Sequence, residues 1–78
     1  MTQLELEPVK VPERGTQGYE ILMYLKRGGR LTVAKALTEF GVYALSQRVG
    51  ELKRAGWPIR SRMIEANGGA RIAEYWLE

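Results

Sequence analysis

The sequence predicts an α+β domain in which three helices are followed by a two-stranded β-hairpin. Three observations lead to this prediction. Segments within residues 16–55 place apolar residues at helical spacing and end at glycines. The apolar residues then alternate over 59–65 and again over 70–77. Between these stretches lies Asn67-Gly68-Gly69, and such a sequence is typical of a hairpin turn.

Composition limits what a chain of 78 residues can do. Its length suits one domain with a modest core, and 45% hydrophobic residues are ordinary for a folded chain. Cys and His do not occur, and all nine acidic residues are Glu, which excludes thiolate metal sites and hydrolytic triads. Paired glutamates can serve acid–base chemistry, but so short a chain has few residues left to line a substrate pocket. We therefore expect no enzyme, no cofactor and no metal.

No apolar stretch is long enough to cross a bilayer, and the chain begins with glutamates where a secretory signal has basic and then apolar residues. A cytoplasmic protein without a membrane partner is expected. The formal charge is +3, with −1 on residues 1–15 and +4 on residues 16–78. A basic domain suits a polyanionic partner, although mild basicity is also common in proteins that never meet nucleic acid.

Residues 1–15 contain two of the three prolines and alternate apolar with charged residues. Because proline lacks the amide that a central strand needs, we interpret this segment as an extended or flexible tail. A short edge strand is the alternative. The predicted domain therefore spans residues 16–78.

The first helix is expected to start after Thr16 as N-cap and to run to about Arg27, where Gly28-Gly29 ends it. A brief extended link follows at residues 30–32. The apolar face of the first helix comprises Tyr19, Ile21, Leu22, Met23 and Leu25.

The second helix, capped by Thr32, is expected from Val33 to Phe40, and Gly41 ends it. Its residues at core spacing are Ala36, Leu37 and Phe40. The third helix is expected from about Tyr43 to Ala55. Its narrow apolar stripe consists of Leu45, Val49 and Leu52.

The hairpin register follows from a three-residue loop at 67–69. This loop sets Glu65 opposite Arg71, Arg62 opposite Glu74, Arg60 opposite Trp76 and Ile64 opposite Ile72. The opposite face is then Ile59, Met63, Ala73, Tyr75 and Leu77, whereas a shift by one residue would bury Glu74 and Ser61. We expect Trp76 to pack under Arg60 by a cation–π contact and Trp57-Pro58 to fix the corner before the hairpin.

This order of elements is the plan of a winged helix, whose third helix can enter the major groove of DNA. A further pattern consists of Leu31-Thr32, Ala36-Leu37, Phe40-Gly41, Leu45, Arg48-Val49, Glu51-Leu52, Ala55-Gly56-Trp57-Pro58-Ile59, Gly69, Tyr75 and Leu77. Through these residues the chain resembles small winged helix-turn-helix domains of bacteriophages and prophages over residues 16–78. The resemblance implies DNA binding in phage or bacterial gene control. Ala36 and Gly41 are one residue further apart than in the tight helix-turn-helix, so base-reading positions are not transferable.

The helical wheel supplies candidates instead. At about 100° per residue, Tyr43, Gln47 and Arg54 lie opposite the apolar stripe of the third helix. We assign base readout to Tyr43, Ser46 and Gln47 because residues early in such a helix reach base edges. The candidate phosphate contacts are Arg48, Lys53, Arg54, Thr32 and Lys35.

Each assignment has a structural alternative. Gln47 and Arg54 can form a solvated face, and Arg48 can pair with Glu51 at i, i+3. Lys53 and Arg54 are also favoured by the dipole at a helix C-terminus. The candidate wing contacts are Arg60, Arg62, Asn67, Gly68 and Arg71. For Arg62 and Arg71 the alternative is an ion-paired hairpin.

Two other functions fit the same fold. A winged helix can be a protein-binding module, such as a phage-encoded inhibitor of a host protein. It can also be an architectural or packaging component that bends DNA without sequence preference. Because one small module reads few base pairs, a homodimer is possible, with residues 1–15 as the candidate arm.

Overall fold

The computed structural model describes residues 10–78. Its elements in chain order are α1 (Gln17–Lys26), β1 (Leu31–Thr32), α2 (Val33–Phe40), α3 (Leu45–Arg54), β2 (Ile59–Glu65), a 3₁₀ turn (Asn67–Gly69) and β3 (Arg71–Leu77). The predicted α+β fold with three helices and a C-terminal hairpin is confirmed. Positions 1–9 of the predicted tail lie outside the described residues, and so does that part of residues 1–15, the candidate dimer arm.

The first two helices begin where the sequence predicts. The Thr16 hydroxyl accepts a hydrogen bond from the Tyr19 amide at 3.2 Å, and the Thr32 hydroxyl accepts one from the Lys35 amide at 3.2 Å. Each cap satisfies an amide that has no partner inside its helix. Gly41 closes α2 with φ at +68°, a conformation that glycine adopts at little cost.

The third helix is shorter than predicted. It begins at Leu45 rather than near Tyr43, and it ends at Arg54 with Ala55 as its C-cap. Its N-cap position is Ala44, whose side chain has no oxygen to accept an amide hydrogen bond. Tyr43 therefore lies in the link before α3 and not within the helix.

The core lies between the helices and the sheet. Its buried residues are Ile21, Leu22, Leu25, Leu31, Ala36, Val42, Leu45, Val49, Leu52 and Ile59. The prediction that Leu37 belongs to the core is wrong, because its side chain is 41% exposed. Helix α2 packs through Ala36, which is fully buried, and through Phe40. The Phe40 ring meets the Tyr24 ring edge to face, with 5.5 Å between the ring centres.

The hairpin register is the predicted one, from Ile59 opposite Leu77 to Glu65 opposite Arg71. The link at 30–32 proves to be a strand of the same sheet, since Leu31 pairs with Tyr75 and Thr32 with Glu74. The strand order is therefore β1-β3-β2, with β3 in the centre. On the core-facing side of β2, Ile59 is buried but Met63, nearer the hairpin tip, is 52% exposed. The prediction that Met63 lies on the buried face of the hairpin is therefore wrong.

Residues 10–12, assigned from sequence to the tail, contact the domain. The Lys10 amide donates to the Ala55 carbonyl at 3.3 Å, and the Trp57 indole N–H donates to the Lys10 carbonyl at 2.6 Å. The Pro12 ring also lies against Gly18 at the start of α1. This segment, called the strap below, ties the N-terminal chain to the corner between α3 and β2. None of the helices in residues 10–78 has the length and apolarity needed to span a bilayer.

Candidate nucleic-acid interface

The side of α3 that faces away from the core is polar and cationic. The helix buries Leu45, Val49 and Leu52, and at about 100° per residue the opposite side carries Gln47, Gly50 and Arg54. Ser46 and Lys53 lie on one flank of that side and are exposed. These five residues are called the α3 outer face below.

Tyr43 lies just before the α3 outer face in the chain, and its side chain is 81% exposed. An aromatic side chain of this size is usually at least half covered in a folded domain, because its burial is favourable. The structure therefore leaves all three residues assigned to base readout, Tyr43, Ser46 and Gln47, accessible on the approach to α3 and on its first turn.

The α3 outer face carries two cations, Lys53 and Arg54. Within residues 10–78, neither Lys53 nor Arg54 has a carboxylate within ion-pair distance. The Arg54 guanidinium lies over Gly50, 3.5 Å from where a Cβ would stand there. Both charges complement the negative end of the helix dipole, and no carboxylate of the described part of the chain competes with an external anion for them.

Arg48 lies on the other flank of α3 and is engaged. Its guanidinium donates to Glu51 at 2.8 Å, which confirms the predicted i, i+3 pair. Its Nε atom is buried without a hydrogen-bond partner among the described residues. Arg48 and Glu51 line a groove of about 640 Å³ between the strap, the start of α1 and α3. The structure thus separates Arg48 from Lys53 and Arg54, with which the sequence grouped it.

The other predicted phosphate contacts lie at the start of α2. The Thr32 hydroxyl accepts the Lys35 amide in the helix cap. The Lys35 ammonium lies 5.4 Å from the centre of the Tyr24 ring, and hydrogen bonding to the Tyr24 side chain raises the pKa of Lys35. Lys35 is exposed and is therefore a positive charge at neutral pH.

Ion pairs occupy the arginines on the face of the sheet turned away from the helices. Arg60 pairs with Glu78 at 2.7 Å, and Arg62 pairs with Glu74 at 3.1 Å. Glu74 also accepts Arg30 at 3.5 Å. The ion-paired hairpin weighed from sequence is therefore present at Arg62.

The cation–π contact at Trp76 differs from the prediction. Arg30 and Arg62 lie 4.6 Å and 5.9 Å from the ring centre, whereas Arg60 turns to Glu78. Sequence reasoning missed Arg30 because it left β1 unpaired. Once Leu31 is known to pair with Tyr75, the alternation of an antiparallel ladder sets Arg30 beside Trp76.

The hairpin tip is small and exposed. Gly68 and Gly69 have φ of +80° and +84°, which a residue with a Cβ rarely adopts. Asn67 and Arg71 flank them and are exposed. Arg71 lies opposite Glu65 in the register, but within residues 10–78 it forms no ion pair.

The arrangement of helices and strands agrees with that of a known protein family. The family model described as a winged helix-turn-helix domain matches residues 16–78. No curated protein and no solved structure matches the chain. Helix-turn-helix domains are generally DNA-binding and non-catalytic. The three helices and the β1-β3-β2 sheet agree with this family model, which matches most of the sequence. This chain belongs to the winged helix-turn-helix domain family.

Proposed function

We propose that this chain binds double-stranded DNA as part of a phage or bacterial transcription regulator. In this proposal the α3 outer face enters the major groove and the hairpin lies along the backbone or minor groove. One observation carries the proposal: α3 turns its aliphatic stripe inward and leaves Gln47, Lys53 and Arg54 exposed, with both cations free of partners within residues 10–78.

Base readout is assigned to Tyr43, Ser46 and Gln47. An amide side chain such as Gln47 can form two hydrogen bonds with adenine in the major groove, and the hydroxyls can reach bases or phosphates. Gly50 has no side chain on the surface between Gln47 and Arg54, which would let the helix backbone approach the duplex closely.

Phosphate contacts are assigned to Lys53, Arg54 and Lys35, which are exposed and cationic. Arg48 is left out of this set because Glu51 neutralises it, and the Thr32 hydroxyl is committed to its helix cap. A backbone amide near Thr32 could still face a phosphate.

The wing contribution is assigned to its tip, Asn67, Gly68 and Arg71, because these residues are exposed and Arg71 has no ion pair within residues 10–78. Arg60 and Arg62 would add to phosphate binding only by exchanging their glutamate partners. The net contribution of such exposed pairs is small, so this exchange is feasible.

The test begins with selection of preferred sites from random duplexes. Binding of Arg54→Glu is then measured over a salt series on the selected site and on an unrelated duplex. Affinity should fall on both, and the slope of log K against log salt should shrink by about one, because one phosphate contact is lost. The matched control is Arg27→Glu, the same charge change at the exposed C-cap of α1, which should lose less affinity on both duplexes.

Gln47→Ala tests the base-reading role separately. It should relax preference at one or two base pairs while keeping affinity for unrelated duplexes. If Arg54→Glu and Gln47→Ala both fold and bind DNA like the parent, the assignment of DNA contacts to the α3 outer face is refuted. Retention on DNA that does not respond to salt would reject phosphate contacts as its source, and no retention at all would reject DNA binding. Either outcome would favour the protein-binding alternative.

A further inference from the structure

An aromatic ring, rather than a carboxylate, holds the Lys35 side chain. The Lys35 ammonium nitrogen lies 5.4 Å from the centre of the Tyr24 ring. Within residues 10–78, no carboxylate lies within ion-pair distance of it. Hydrogen bonding to the Tyr24 side chain is the largest cause of the raised pKa of Lys35, and the charges of Glu39 and Glu74 contribute less. Tyr24 is therefore the main partner of this ammonium in the described part of the chain.

An aromatic partner holds a cation without neutralising it. Arg48 shows the contrast, because the Glu51 carboxylate, at 2.8 Å, offsets its charge. A ring attracts an ammonium through the negative potential of its face, and a phenol oxygen can accept a hydrogen bond while staying uncharged. The contact with Tyr24 therefore fixes the position of the Lys35 charge and leaves that charge available to an anion.

The Tyr24 ring is itself fixed by its surroundings. The Phe40 ring of α2 meets it edge to face. The Gly29 backbone, in the link between α1 and β1, lies so close to the ring that a Cβ there would overlap it. Because a ring packed on several sides has few alternative rotamers, Tyr24 gives Lys35 a fixed point of attachment.

The backbone of Lys35 is fixed as well. Lys35 lies in the first turn of α2, where its amide donates to the Thr32 hydroxyl of the helix cap. Helical side chains tilt toward the N-terminus of their helix, which is the end that attracts anions. Glu74, which pairs with Thr32 in the sheet, also acts on the Lys35 charge and agrees with this direction. Since a free lysine has many rotamers, restricting it beforehand lowers the entropic cost of binding an anion.

We propose that Tyr24 is a positioning residue for DNA binding, which holds the Lys35 ammonium at the start of α2 for contact with a backbone phosphate. The proposal rests on the proposed function, which includes the phosphate contact of Lys35. Tyr24 does not touch the duplex in this proposal, and its whole effect passes through Lys35. A change at Tyr24 should therefore alter DNA affinity only while Lys35 is present.

A double-mutant cycle on the full chain and the selected duplex tests this dependence. Lys35→Met removes the cation, and Tyr24→Leu removes the ring and its hydroxyl. Tyr24→Leu should lower affinity about threefold in the parent but not in Lys35→Met, as expected for two residues in contact. The slope of log K against log salt should shrink by about one in Lys35→Met and stay near the parent value in Tyr24→Leu, because only Lys35→Met loses a charge. Tyr24→Phe keeps the packed ring, should give a smaller loss, and supplies the cycle if Tyr24→Leu does not fold.

An NMR titration of the Lys35 side chain without DNA provides a second readout. Tyr24→Leu should lower the pKa of Lys35 toward its ordinary value, because the partner that favours the charged form is lost. The matched control is Tyr19→Leu. Tyr19 holds Arg14 by the same kind of hydrogen bond, and at about 100° per residue it lies on a different side of α1. This control should leave both the pKa of Lys35 and the DNA affinity unchanged.

Two outcomes would overturn the role of Tyr24 alone. One is a parent that binds DNA while Tyr24→Leu loses the same affinity with and without Lys35. The other is a pKa of Lys35 that does not change in Tyr24→Leu. A parent that binds no duplex would instead reject the proposed function, and the role of Tyr24 with it.

Discussion

Gly50 and Arg54 lie one turn apart on the α3 outer face, and the Arg54 guanidinium extends back to within 3.5 Å of where a Gly50 side chain would begin. A methyl group at position 50 would meet only the far end of the flexible Arg54 side chain, so the fold leaves room for it. Glycine inside a helix nevertheless costs stability relative to alanine. Its presence on the exposed side of α3 is thus not explained by packing.

We expect Gly50→Ala to raise the free energy of unfolding by about 0.5–1 kcal/mol, because alanine restricts the unfolded chain and favours the helix. If the α3 outer face approaches DNA closely, the same change should weaken binding, since the added methyl group separates the two surfaces. Denaturant unfolding and duplex binding measure the two effects. Thr38→Ala, on the exposed side of α2, should also stabilise its helix but leave affinity unchanged. A Gly50→Ala variant that binds as tightly as the parent would remove close approach as the reason for the glycine.

Gly29 is required by the Tyr24 ring. A Cβ at Gly29 would overlap that ring, which also packs against Phe40. We expect Gly29→Ala to lower the free energy of unfolding by about 1–3 kcal/mol, the usual range for overpacking. The comparison variant is Gly28→Ala, where space is open but φ is +90°. The further substitution Tyr24→Ala should reduce the cost of Gly29→Ala and not that of Gly28→Ala; equal costs in both backgrounds would show that the ring is not the cause.

The strap depends on the Trp57 indole. Trp57→Phe keeps an aromatic ring but loses the 2.6 Å hydrogen bond to the Lys10 carbonyl. We expect a loss of about 1 kcal/mol in unfolding free energy, typical of one intramolecular hydrogen bond. Thermal and denaturant unfolding, followed by Trp76 fluorescence, provide the measurement. Faster exchange of the Lys10 amide should accompany the loss, because its partner Ala55 lies at the same contact. Unchanged Lys10 exchange would mean that the indole does not hold the strap.

Glu74 restrains two arginines of the wing. Its carboxylate accepts Arg30 and Arg62, and its side chain is only 16% exposed. Glu74→Gln should therefore destabilise the fold by about 0.5–1.5 kcal/mol, discounted because both arginines are half exposed. The same variant should bind DNA more tightly and with a steeper salt slope, since it frees cationic charge on the wing. The matched control is Glu20→Gln, which removes one charge from an exposed position on α1 without an ion pair within residues 10–78 and should change affinity less. Equal DNA affinity of parent and Glu74→Gln would indicate that this part of the wing does not face the duplex.

Local chemistry explains what was predictable about the fold. Threonine hydroxyls at positions 16 and 32 cap the first two helices, and Gly41 ends the second, because these effects depend on neighbours within a few residues. The hairpin register was equally predictable, since one turn and the alternation of its strands fix all seven pairs.

The partners of exposed charges were predictable only where a helical turn or the hairpin register sets them side by side, as the register does for Arg62 and Glu74. The Arg48–Glu51 pair is separated by one helical turn, so the sequence could propose it. The Arg30–Glu74 pair and the contact of Arg30 with Trp76 depend on β1 joining the sheet, which no local pattern reports. Two residues of extended chain are too short to show a period of their own.

By itself, the sequence determined the order of the elements, their caps, the hairpin register and the polar side of α3, because each follows from periodicity or short-range hydrogen bonding. The tertiary structure decided that β3 is the central strand, that Leu37 and Met63 remain outside the core, and that residue 10 is tied to the end of α3. These features arise from contacts between segments distant in the chain, where packing geometry rather than local preference sets the free energy.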